Sequence, residues 1–164
     1  MVVAALLPTV LDAVTDPLHE DVTGESIVDF ELAGSVDRAE EVIAAWRDEG
    51  VIDDAKAIQV FDLAYPLIYS AALAGICVAA AEAWWRRGRP RWARIGIAMA
   101  WVAFVAAAFD YVENLGLDIS LWDEPMTPWP QVAFAAAVAK FAGIYTSLLY
   151  GLTGLVATVL PRRY

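Results

Sequence analysis

Asp62, Asp110, Glu113 and Lys140 are ionisable residues set inside stretches that are otherwise apolar enough to cross a bilayer. An ionised side chain at bilayer depth costs at least about 2.5 kcal/mol, so such groups face a protein interior and often mark a working site. Asp110, Glu113 and Asn114 are spaced i, i+3, i+4 and fall on one helical face. Asp62, Tyr65 and Tyr69 share a face in a similar way. Lys140 is followed on its face by Ile144 and Ser147, while Gly143 and Gly151 permit close approach of a neighbouring helix. A single ion pair that only fixes helix register needs one acid for one base. Here Asp62, Asp110 and Glu113 are offered to one lysine. The surplus suits proton relay, cation or amine binding, polar headgroup binding or general acid–base catalysis, and whether the protein is an enzyme stays open.

Other chemistries lack their residues. Cys77 is the sole cysteine and His19 the sole histidine, so no intrachain disulfide or soft-metal set is available. No nucleophile–base pair, phosphate-cradling glycine loop or haem-type histidine pair occurs in the apolar stretches. No metal and no cofactor are expected. The net charge of -10 argues against a nucleic-acid partner, which needs a basic face.

The elements that must position these groups follow from composition. The chain is 60% hydrophobic, with a mean hydropathy of +0.53, whereas soluble domains are typically about 45–50% apolar. The excess lies in three blocks after residue 57, while residues 15–56 are polar and acidic. Spans are predicted over 57–85, 92–117 and 131–160, followed by a tail at 161–164. Residues 1–14 are too short for a full span and carry no signal-peptide features; they form either part of a first transmembrane helix or an interfacial anchor. Within the acidic segment, residues 27–32 form a short extended or helical piece. Residues 35–49 form an amphipathic helix, with Ser35 as N-cap, Val36, Ala39, Ile43 and Trp46 on one face, and Gly50 as the stop.

Arginine placement gives the topology. Arg86, Arg87, Arg89 and Arg91 lie in the linker between the spans 57–85 and 92–117, with Arg94 just beyond it, and Arg162 and Arg163 lie near the C-terminus. Short arginine-rich loops stay in the cytoplasm. The C-terminus is therefore cytoplasmic in a multi-pass inner or plasma membrane protein, with residues 15–56 and 118–130 outside. Helical rise then places Asp62 about 7 Å, Glu113 about 6 Å, Asp110 about 10 Å and Lys140 about 13 Å from the outer ends of their spans. Three helices would converge their charges in the outer leaflet.

The motifs Asp29-Phe-Glu31-Leu-Ala-Gly34, Trp46, Asp62-Leu-Ala-Tyr65-Pro-Leu-Ile-Tyr69, Asp110-Tyr-Val-Glu113-Asn114 and Lys140 resemble a family of small uncharacterised prokaryotic polytopic membrane proteins. The resemblance covers most of the chain, but the first span here is shorter than the family's. It implies that Glu31, Trp46, Asp62, Asp110, Glu113, Asn114 and Lys140 belong together, with Glu31 on a lid over the site.

The sequence thus predicts an all-α membrane bundle of three to four transmembrane helices beneath an amphipathic extracytoplasmic helical segment. The expected ligand-binding residues are Asp62, Tyr65, Asp110, Glu113, Asn114, Lys140 and Glu31. The expected ligand is a small molecule, lipid headgroup or cation. The alternative is a structural or assembly subunit whose buried charges only staple helices. The lipid bilayer is the expected partner, and a homo-oligomer is one way for so few spans to complete a path.

Overall fold

The computed structural model describes residues 24–159. The expectations for residues 1–14, for His19 and for the C-terminal tail lie outside the described residues. Those residues form six helices and no strand: α1 (Ile27–Glu31), α2 (Val36–Asp48), α3 (Ile52–Asp62), α4 (Tyr65–Trp85), α5 (Pro90–Trp122) and α6 (Trp129–Val159). The all-α bundle is the observed architecture. Three helices are long and apolar enough to cross a membrane: Tyr65–Trp85, Pro90–Trp122 and Trp129–Thr158. The chain divides into two compact units, one formed by residues up to Leu63 with Val112–Ala135, the other by Ala64–Tyr111 with the residues from Ala136 onward.

In the first unit the acidic segment folds through local caps. Asp29 N–H donates to Ser26 Oγ at 3.2 Å, and the Asp29 carboxylate accepts from Ser26 N–H at 2.8 Å, a reciprocal box that starts α1. Ser35 Oγ accepts from Arg38 N–H at 3.2 Å and starts α2. Gly50 follows α2 at φ +75°, a left-handed position that glycine takes without steric cost. The apolar face of α2 is buried through Ala39, Val42, Ile43 and Trp46, and the core is completed by Phe30, Ala55, Leu117, Leu121 and Ala133. Trp46 lies edge-on to Phe30 at 5.2 Å, and its Nε1–H donates to the Glu25 carbonyl at 3.0 Å. Arg38 grips the Glu25 carboxylate with both terminal nitrogens, at 2.6 and 2.7 Å.

Two boundaries differ from expectation. The apolar run starting at residue 57 is broken: α3 ends at Asp62 and α4 begins at Tyr65. Pro66 stands in the first turn of α4, where a missing N–H loses no helical bond. The apolar helix α5 also continues past residue 117 to Trp122, leaving residues 123–128 to join it to α6. Leu117 and Leu121 draw this extra turn into the core, and Ser120 Oγ donates back to the Gly116 carbonyl at 2.9 Å.

In the second unit large apolar side chains point outward and small or polar ones point inward. Leu67, Ile68, Trp101, Val105, Leu149 and Leu155 are exposed, whereas Ala74, Cys77, Ala103, Ser70 and Ser147 are buried. That inversion suits helices whose surroundings are hydrocarbon, where association depends on close packing and interhelical hydrogen bonds. A Cβ added at Gly154 would stand 2.5 Å from Ala80 Cβ, and one at Gly143 would stand 2.9 Å from Ala106 Cβ. Ser147 Oγ donates to the Met99 carbonyl at 3.0 Å, Cys77 Sγ to the Ser147 carbonyl at 3.3 Å, and Tyr150 Oη to the Trp92 carbonyl at 2.8 Å.

Candidate functional site

The seven expected site residues are distributed over both units. Tyr65, Asp110 and Lys140 belong to the second, and Glu31, Asp62, Glu113 and Asn114 to the first.

In the second unit, Lys140 Nζ of α6 lies 3.7 Å from Asp110 Oδ1 of α5, with the two side chains 7% and 4% exposed. The close approach of Gly143 to Ala106, one turn along each helix, brings these backbones together and lets the pair form. The Lys140 ammonium also stands over the Phe141 ring, 4.6 Å from its centroid, an attraction that strengthens where water is excluded. The Tyr69 hydroxyl is a further polar neighbour of the Asp110 carboxylate. Tyr65, at the start of α4, is half-buried, with its ring 5.4 Å from that of Tyr69. The opposite charges offset part of the cost of desolvating each other, at a separation longer than a hydrogen bond.

In the first unit, Glu113 and Asn114 are 0% and 1% exposed. Gln59 of α3, itself 2% exposed, donates from Nε2 to Asn114 Oδ1 at 3.2 Å. Asn114 Nδ2 is buried and makes no hydrogen bond among the described residues. A buried amide donor left so costs about 1–3 kcal/mol. Glu31 and Asp62 are only half-buried, and each ends its helix. Asp62 closes α3 ahead of the break at residues 63–64, so the placement of about 7 Å down a continuous span is corrected.

Gln59 is absent from the sequence-derived set although it carried a signal. Ala55 and Gln59 are one turn apart on the buried face of α3, so an amide occupies a core position. Among the described residues no group of three or more His, Cys, Asp or Glu side chains is arranged to hold a metal ion.

Comparison with protein-family models, with curated proteins and with solved structures gave no match.

Proposed function

We propose that this chain is a multi-pass protein of the plasma membrane, related to the small prokaryotic membrane proteins whose motifs it resembles, and that it binds a small polar ligand at Glu113, Asn114 and Gln59. The arginines from Arg86 to Arg94 face the cytoplasm and the acidic segment faces outward. The supporting observation is the unsatisfied amide of Asn114 beside the fully buried Glu113. A buried donor next to a buried carboxylate matches a ligand carrying an acceptor together with an amine, hydroxyl or cationic group. Such chemistry occurs in small zwitterions and lipid headgroups. Access runs past α3, a lightly held element. Only Ala55 and Gln59 of its residues are buried, and its N-cap residue Val51 makes no side-chain cap. Segments with few buried apolar contacts open at low free-energy cost. We therefore assign the lid to α3, whereas the family resemblance implies Glu31.

The second reading is a structural or assembly subunit, and the direct buried contact of Lys140 with Asp110 favours it. Replacing Asn114 by Leu separates the two. A ligand site predicts that native mass spectrometry of protein extracted from its own membrane finds a small bound species that N114L loses while its helical circular dichroism is kept. A structural subunit predicts no bound species, and a Q59L/N114L protein at least as stable as the parent, because the unsatisfied Asn114 donor and the Gln59 donor that N114L alone would orphan are both gone.

A further inference from the structure

At the arginine-rich end of the second unit, α4 and α6 leave a groove of 390 Å³ lined by Ala79, Glu82, Ala83, Arg86, Arg87 and Thr158, among others. Next to the lining residue Ala79, Gly154 meets the backbone and side chain of Ala80 and brings α4 and α6 together. The groove's geometry is fixed nearby: Trp84 Nε1–H donates to Thr153 Oγ1 at 3.0 Å, and the Trp84 ring stacks on Trp92 at 5.4 Å. The walls are alanine methyls, and the mouth carries two guanidinium groups. Arg86 Nη2 meets Glu82 Oε1 at 2.6 Å, with both side chains exposed.

We infer that this groove seats the headgroup of an anionic phospholipid bearing a free hydroxyl, such as phosphatidylglycerol. The phosphodiester lies against Arg86 and Arg87, whose planar forks match its oxygens. A headgroup hydroxyl donates to the Glu82 carboxylate, and the alanine wall takes the start of an acyl chain. Basic pockets between membrane helices on the cytoplasmic side are suited to anionic headgroups. In a chain of net charge -10, the local excess of cations from Arg86 to Arg94 is concentrated beside this groove. The site is separate from Asn114 and rests only on the membrane assignment proposed above.

The test uses the full chain in nanodiscs and in detergent. Membrane insertion is read first, as retention in vesicles after an alkaline wash, whatever the lipid charge. Failure there overturns the membrane reading and this inference together. Lipid preference is then read by native mass spectrometry with phosphatidylglycerol against phosphatidylcholine, and with inorganic phosphate as competitor. The double variant R86Q/R87Q should weaken the phosphatidylglycerol preference by about 30-fold, and R89Q/R91Q, outside the groove, by much less. Filling the groove with A83L should lower binding without changing charge, which keeps the test decisive should the arginine variant misfold. Equal losses in the two arginine doubles would indicate diffuse attraction and overturn the site. Displacement of the lipid by millimolar inorganic phosphate would also overturn it, since a free anion would then be the ligand.

Discussion

Removing the buried pair of Asp110 and Lys140 one charge at a time, and then both, tests how the second unit is held together. Their atoms are 3.7 Å apart and the side chains almost wholly buried. At an effective dielectric near 20, unit charges at that distance attract by about 4–5 kcal/mol. Either D110N or K140M alone leaves its partner buried without a counter-charge and should lose about 3–5 kcal/mol. The double variant D110N/K140M removes both desolvation costs and should return to within about 1 kcal/mol of the parent. The cycle therefore predicts a coupling of several kcal/mol. It is measured by unfolding the four proteins in mixed micelles with increasing dodecyl sulfate and following tryptophan fluorescence. Single losses that simply add to give the double loss would refute the reasoning, because they would mean that water screens each charge separately.

Three further outcomes follow from the packing and the caps. G154A places a methyl 2.5 Å from Ala80 Cβ and 2.7 Å from its Cα, and overpacking costs about 1–3 kcal/mol, so the thermal midpoint in detergent should fall despite alanine's better helix propensity. W46A empties a fully buried site against Phe30 and removes the bond to the Glu25 carbonyl; a loss of about 3–5 kcal/mol is expected, read as protease cleavage within the acidic segment while α4 stays protected. The Ser26 hydroxyl, and after it the Ser26 N–H, hold the Asp29 carboxyl below its ordinary pKa. Its stabilising contribution is complete above the unfolded value of about 3.9 and is lost as pH falls through the lowered folded value. An acid titration of segment stability should therefore lose part of its low-pH limb in D29N, and an unchanged limb would count against the capping box.

The amphipathic helix was legible because every local signal agreed: Ser35 as cap, Ile43 and Trp46 at helical spacing, and Gly50 at the stop. The length and apolarity of α4, α5 and α6 were equally plain. The break at residues 63–64 was hidden by apolar residues continuing across it, and Pro66 was the one mark of a new helix start. The extra turn to Trp122 was hidden because Leu121 is held by tertiary packing, which outweighs the polar Asp118 and Ser120 beside it. Depth arithmetic placed Asp110 and Lys140 at similar levels, but it could not choose among three acids. Helix rotation makes that choice, and the contact of Gly143 with Ala106 sets it. Gln59 went unnoticed because an amide has no charge to stand out in an apolar run.

Gly96 and Tyr150 carry a consequence for how this chain can diverge. A methyl at position 96 would collide with the Tyr150 ring and hydroxyl, which reach across to the Trp92 carbonyl. Neither residue can change freely while the other stays. The same methyl would stand 2.6 Å from Ala81 Cβ, so descendants of this sequence should retain Gly96 with Tyr150, or exchange 96 and 150 only together with a change at 81. Correlated substitution at these positions would be an evolutionary trace of one hydrogen bond between α6 and α5.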